Sequence, residues 1–184
     1  VTLADARSVW GGRVTRESQL PGLAAWGRVR DWRVWQLQQV ANAEMYLESP
    51  LSSADILDYG IAHIAIATGA AWRTDGVGRA HRKPLRFLIP DHVLSPDALM
   101  KDGAAAIKGQ DPVVIFDDDR FYIASVLAEL AVSAGHKTIF VTPAPIVAPW
   151  AENTLEQSRI QKRLIDLGLL TYDDNADKHA AEIA

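Results

Sequence analysis

The sequence predicts an α/β protein built from two units. Two stretches carry that prediction. Residues 112–141 read as strand, helix, strand: the apolar run Pro112-Val113-Val114-Ile115-Phe116 as a buried strand, an amphipathic stretch from Phe121 to Ala134 with Ile123, Val126, Leu127, Leu130 and Ala134 on one stripe, then Gly135-His136 and Thr138-Ile139-Phe140-Val141. Strands joined through a helix by loops this short pair in parallel. Residues 1–69 open on a strand, Val1-Thr2-Leu3-Ala4. They end on a nearly all-apolar run, His63-Ile64-Ala65-Ile66-Ala67, of the kind buried on both faces of a parallel sheet.

Composition sets the limits. The chain has 184 residues, enough for one domain or two small ones, and 48% of them are hydrophobic against 23% charged. That excludes wholesale disorder. No apolar run reaches the ~18–20 residues that cross a bilayer, so no membrane partner is expected. With 19 basic and 23 acidic side chains the net charge is -4, which argues against nucleic acid as a partner. Cysteine is absent, so this chain has no disulfide, no thiolate nucleophile and no cysteine-held zinc or iron–sulfur cluster. The sequence starts at Val1, directly in a strand, with no initiator Met and no signal peptide pattern. The expectation is a cytoplasmic chain that begins inside a larger fold.

The remaining elements follow in order. Gly11-Gly12-Arg13-Val14 reads as a glycine loop. Pro21-Gly22 announces a helix over about 23–40, with Leu23, Trp26, Val29, Trp35, Leu37 and Val40 as its apolar residues. A short strand is expected near Met45-Tyr46-Leu47. Ser52 or Ser53 caps a short helix that Gly60 stops. From 76 to 111 the composition changes: prolines stand at 84, 90 and 96, and Arg79, Arg82, Lys83 and Arg86 cluster. This reads as a solvated connector holding one short helix, with Ser95 as N-cap and Pro96 in its first turn. A last helix is expected over 155–167, stopped by Gly168. The domain boundaries read from this pattern are 1–77, a connector 78–111, a second unit 112–170 and a polar tail 171–184.

Asp5 ends the opening strand ahead of a glycine loop. In dinucleotide folds an acid there accepts hydrogen bonds from the adenosine ribose; the plain alternative is a surface turn. Gly11 and Gly12 permit close backbone approach and Arg13 suits a pyrophosphate, the plain reading being an ordinary glycine turn. Thr68-Gly69 is a strand end, or a place where backbone nears a nucleotide. Gly76-Val77-Gly78 has His81 where a third glycine would stand and lies in a loop, so it is not a phosphate turn. The turn after Phe116 is Asp117-Asp118-Asp119-Arg120. A working dinucleotide turn is glycine-rich and offers a helix N-terminus to pyrophosphate; three carboxylates satisfy that dipole themselves and repel phosphate. The second strand ends Thr142-Pro143, with no acid for a ribose. The second unit therefore reads as Rossmann-type in architecture without binding NAD(P). Asp117 and Asp119 also match the Asp-x-Asp of aspartate-based phosphotransferases, but Phe121 stands where those enzymes keep a small hydroxyl residue. The histidines at 63, 81, 92, 136 and 179 have no metal-ligand spacing. Trp26, Trp32 and Trp35 share one expected helix and read as core or interface. Neither catalytic nor metal residues are expected.

Several of these strings form an ordered series. Gly11-Gly12-Arg13-Val14, Leu20-Pro21-Gly22-Leu23, Ala67-Thr68-Gly69-Ala70 with Trp72-Arg73 and Asp75-Gly76, then the strand to Asp119 with Tyr122, Leu127-Ala128-Glu129, Ala134-Gly135-His136 and Asn153-Thr154-Leu155-Glu156, resemble the C-terminal nucleotide-binding region of the trimethylamine, dimethylamine and histamine dehydrogenases. The 2,4-dienoyl-CoA reductase group of old-yellow-enzyme relatives is similar. The resemblance spans about 1–168.

The resemblance implies two units of the glutathione-reductase type, Rossmann-like, FAD/NAD(P)-binding folds, the first incomplete. It implies that Asp5, Gly11, Gly12, Arg13, Thr68 and Gly69 line ADP, or the adenosine part of FAD, in a complete flavoprotein. FMN and a 4Fe-4S cluster are then expected in an N-terminal region that this sequence lacks. It also implies an amine-oxidising parent that passes electrons to an electron-transferring flavoprotein, and a chain that by itself is inactive and binds nucleotide weakly. The strand edges left open suggest homo-oligomer contacts. Two other readings remain: part of an NAD(P)H-dependent flavin reductase, and a non-catalytic interaction module.

Overall fold

A computed structural model of the chain describes residues 1–86 and 89–169. The polar tail expected from 171 lies outside the described residues. The chain parts into two compact units, Val1–Trp72 and Arg73–Ala184.

In the first unit β1 (Thr2–Ala4) pairs in parallel with β2 (Glu44–Tyr46), Leu3 opposite Met45. The crossover is helical. Its first turn is α1 (Gly12–Glu17), which the glycine pair does not announce; Gly11 precedes it in the left-handed region. A 3-10 turn, Ala24–Trp26, leads into α2 (Gly27–Gln39), so the long expected helix forms in two pieces. α3 (Ser53–Asp58) starts on a capping box: the Ser52 hydroxyl accepts from the Asp55 N–H while the Asp55 carboxylate accepts from Ser52 N–H at 2.8 Å.

The expected buried strand at 63–67 is corrected. Residues 61–71 are without regular structure and exposed, Ile66 to 77%. A strand needs a hydrogen-bonding neighbour, and among the described residues this run has none.

The second unit opens with an irregular segment and α4 (Pro96–Asp102), with Ser95 at its N-cap and Pro96 in its first turn as expected. β3 (Val113–Phe116) and β4 (Thr138–Val141) run parallel in the register Ile115 opposite Phe140, joined through α5 (Ile123–Ser133). The helix begins two residues later than its pattern suggests. Its buried stripe is Ala124, Leu127, Ala128 and Ala131, the i, i+3, i+4, i+7 spacing of one helical face; of the stripe expected, Ile123 and Leu127 are buried, Val126 and Leu130 are half-buried and Ala134 is exposed. α6 (Gln157–Asp166) follows a 3-10 stretch, Pro149–Thr154. Ala128, Val147 and Leu164 form the core, and Ile115 and Phe140 pack on it from the sheet.

That packing corrects the expected burial of β3. Side chains alternate across a strand, so covering one face leaves the other open, and Val114, Phe116 and Ile139 are exposed. Small parallel sheets crossed by helices make the chain α/β. Among the described residues, no helix is long and apolar enough to cross a membrane.

Candidate functional site

The first unit places its candidate residues at the carboxyl end of β1. The Asp5 N–H donates to Tyr46 O at 2.9 Å, which finishes the β1–β2 ladder, and the Asp5 carboxylate accepts from Arg7 N–H at 2.9 Å. The chain therefore turns on the acid immediately after the strand. Gly11 follows with φ 102°, and a Cβ built there would stand 2.5 Å from Thr15 Oγ1 and 2.6 Å from Arg30 Cγ. Gly12 has φ 52° and more room.

Arg13 is the residue that ties this loop to the distant segment. Its Nη2 donates to Ala70 O at 2.8 Å, and its guanidinium lies 5.5 Å from the Trp72 ring centroid. Thr68 and Gly69 directly precede Ala70, and Gly69 has φ 76° with open space around its α-carbon. So Gly11, Gly12 and Arg13 are brought to the segment of Thr68 and Gly69 across 57 residues of sequence. Beside them a groove of about 240 Å³ is lined by Leu3, Val14, Val34, Leu37 and Met45, with Gly11 on its border. An acid at a strand end, glycine backbone and a nearby guanidinium suit the adenosine and phosphate chemistry of a nucleotide. No glycine turn for a pyrophosphate joins them in this unit among the described residues.

In the second unit the turn after β3 is built by its acids. Asp117 is 1% exposed; its N–H donates to Val141 O at 2.8 Å and its Oδ1 accepts from Arg120 N–H at 2.8 Å. Its Oδ2 is buried and has no hydrogen-bond partner among the described residues. Burial raises the Asp117 pKa, opposed by the Arg120 N–H and reinforced by the charges of Asp119 and Asp118. Burial likewise raises Asp119, with Arg79 opposing. Arg120 sits at φ 64°, a cost that a glycine would avoid.

Asp118 reaches back to the segment before α4. Arg79 N–H donates to its Oδ2 and Ala80 N–H to its Oδ1, the latter at 2.6 Å. The sequence gives Gly76-Val77-Gly78 as a mere loop, and no helix follows it here; its part in holding Asp118 was not legible. The glycine at 78 was the available signal, since a Cβ there has no room beside the Asp118 carboxylate. Arg79 also lies 5.8 Å from the Trp150 ring. Among the described residues, no group of three or more His, Cys, Asp or Glu is placed to hold a metal ion.

Known proteins match this chain along nearly its whole length. A dimethylamine dehydrogenase from Hyphomicrobium sp. (strain x) is 35% identical over 177 residues, 92% of this chain. The structure of a histamine dehydrogenase from Rhizobium sp. 4-9 superposes on 91% of the chain with a TM-score of 0.82 and 46% identity. The chain is homologous to a segment of the amine dehydrogenases. A 6-hydroxypseudooxynicotine amine oxidase (HisD) from Pseudomonas geniculata N1 agrees, at TM-score 0.83 and 41% identity over 92% of the chain. A 2-naphthoyl-CoA reductase, 16% identical at TM-score 0.61, shares the fold. The chain spans about a quarter of the length of these amine-dehydrogenase relatives: 23% of the first, 24% and 25% of the two solved amine enzymes. No protein-family model matches it.

Proposed function

We propose that this chain is the nucleotide-holding region of an amine-dehydrogenase-like flavoprotein, structural in role and separate from the centre that oxidises the amine. The observation that carries the reading is the 46% identity to a histamine dehydrogenase over 91% of the chain. Both units then belong to the Rossmann-like type. In the first, Asp5 accepts from the ribose hydroxyls, Gly11 and Gly12 bring backbone close to the nucleotide, Arg13 neutralises phosphate, and Thr68 and Gly69 border it. The ligand is ADP, or the adenosine part of FAD. Supporting this, the Arg13–Ala70 hydrogen bond joins the two candidate segments. The second unit, its turn closed by Asp117 and Asp118, takes no NAD(P).

The rest of the proposal concerns the parent protein: a cytoplasmic oxidoreductase of a small amine, with FMN and a 4Fe-4S cluster outside this chain, delivering electrons to an electron-transferring flavoprotein. The rest of that polypeptide would supply a neighbour for the apolar run at 61–67. Failing that, the open strand edges would serve contacts between copies.

Calorimetric titration tests the reading. The 184-residue chain is expected to bind ADP weakly. The same chain carried in a full-length protein of the relatives' size is expected to bind ADP or FAD tightly, with Asp5→Asn and Arg13→Ala each weakening it about tenfold, the loss of one charge-assisted hydrogen bond. Tight ADP binding by the isolated chain, or binding indifferent to both substitutions, would overturn it.

A further inference from the structure

The acids of the β3–α5 turn do not all do the same thing. Asp117 closes the turn on itself. Asp118 instead leaves its own neighbourhood and is received by backbone 38 and 39 residues earlier in the chain. Two successive N–H groups, Arg79 and Ala80, converge on the two oxygens of one carboxylate. Consecutive backbone donors aimed at one anion make the concavity that proteins use to hold phosphate. Gly78 completes it, because its α-carbon approaches the carboxylate so closely that any side chain there would collide with Asp118. A positive charge stands alongside: the Arg79 guanidinium opposes the rise in Asp119 and is kept near Trp150.

The cradle is braced independently of Asp118. Gly78 N–H donates to His81 O at 2.7 Å, and Leu85 N–H donates to Asp75 O at 2.9 Å. The Leu85 side chain packs on Gly76, where a Cβ would stand 2.5 Å from Leu85 Cδ1. Asp75 is in turn paired with Arg73 at 2.5 Å. The loop therefore has its own reasons to keep its shape when the acid is gone. Its location matters too. Asp118 lies just past the carboxyl end of β3, the side on which open α/β sheets take their ligands.

We propose that the backbone at 78–80 is an anion cradle whose resident ligand is the protein's own Asp118, and that it accepts a phosphate-class anion when that carboxylate is withdrawn. This deepens the reading that the second unit takes no dinucleotide, and rests on it for the identity of what is excluded. Exclusion is then by occupancy: the donors that a diphosphate would use are already engaged.

Hydrogen exchange at the Arg79 and Ala80 amides tests this in the full 184-residue chain, using Asp118→Ala and the isosteric Asp118→Asn, which keeps the shape if the alanine variant does not fold. Wild type should show both amides protected and unaffected by inorganic pyrophosphate. The variants should exchange about tenfold faster there, and pyrophosphate should restore the protection. Unchanged exchange in the folded variants overturns the proposal. So does faster exchange that pyrophosphate leaves unaltered, which would make Asp118 a brace and not a ligand. Protection of these amides by pyrophosphate in wild type also overturns it. A parallel titration of wild type with NADPH separates the two ideas. Binding that protects 117–120 while Arg79 and Ala80 stay held by Asp118 would sink the dinucleotide reading and leave the cradle standing.

Discussion

The Arg13 guanidinium donates to the Ala70 carbonyl at 2.8 Å and lies over the Trp72 ring, so one side chain pins the irregular 68–72 segment to the glycine loop. Among the described residues, 61–71 are exposed and paired with no strand. Arg13→Ala is expected to lower stability by about 1 kcal/mol, the sum of a partly exposed cation–π contact and a charge-assisted hydrogen bond after solvent competition. Arg13→Lys should recover part of that, because lysine keeps the charge and loses the planar fork. Urea midpoints measure the cost. Amide exchange over 68–72 locates it, and unchanged exchange there in Arg13→Ala would show that the link is idle.

Asp117 sets a pH dependence of definite sign. Its carboxyl is pushed above the usual 3.8, first by burial. The folded chain therefore holds this proton more firmly than the unfolded chain does. Stability falls as pH rises from about the unfolded value through the raised folded one, and the loss is complete above it. Asp117→Asn keeps an oxygen for the Arg120 N–H and removes the charge. The variant is expected to be more stable than wild type at pH 7, with the difference shrinking as pH drops and vanishing below 3.8. Thermal midpoints of the two proteins across that range check it; a variant less stable at pH 7 would mean that the ionised carboxylate is welcome in the turn.

Leu164 is the anchor of the second unit, 1% exposed between Ala128 and Val147. Truncating it removes burial and leaves a cavity against Ile115 and Phe140, so Leu164→Ala should cost 2–5 kcal/mol, about the usual range for such a core leucine, and Leu164→Met under about 1.5 kcal/mol. Denaturant unfolding read by tryptophan fluorescence measures both. A loss under about 1 kcal/mol for the alanine variant would place the core elsewhere.

Residues 112–141 were legible as strand, helix, strand because the local cues agreed: β-branched strands, apolar residues at helical spacing and Gly135 at the exit, although the face the helix buries is turned from the stripe expected. The serine cap of α3, offered at Ser52 or Ser53 and found at Ser52, and the proline start of α4 were legible for the same local reason. What failed was burial. His63-Ile64-Ala65-Ile66-Ala67 has the composition of a central strand, yet composition specifies only what a strand would bury, and pairing depends on a neighbour that the run does not find among the described residues. Val114 and Phe116 misled in the same way, since α5 and α6 cover the face of Ile115. In the site, the acids of 117–119 read as answering the helix dipole and repelling phosphate, but that Asp118 would be held by Arg79 and Ala80 depends on a long-range fold-back with no periodic signature.

Gly11 and Gly12 differ in how much of the need for glycine the fold alone explains. Both lie in the left-handed region, so alanine at either pays about 1 kcal/mol of backbone strain. Their surroundings differ. At 11 the new methyl would collide with Thr15 Oγ1 and Arg30 Cγ, which pack the entry to α1 against α2; at 12 its nearest neighbour is Arg7 Nη1 at 3.4 Å, the end of a flexible side chain. Gly11→Ala should therefore destabilise the chain with no nucleotide present, by roughly 1–3 kcal/mol beyond Gly12→Ala, a typical cost of overpacking. Gly12→Ala should show mainly the strain in stability and a separate loss in nucleotide affinity in the full-length protein. Unfolding midpoints compared with ADP titrations decide the assignment. Equal destabilisation by the two variants would mean that the Thr15–Arg30 contact yields freely, leaving the ligand as the reason for a glycine at 11.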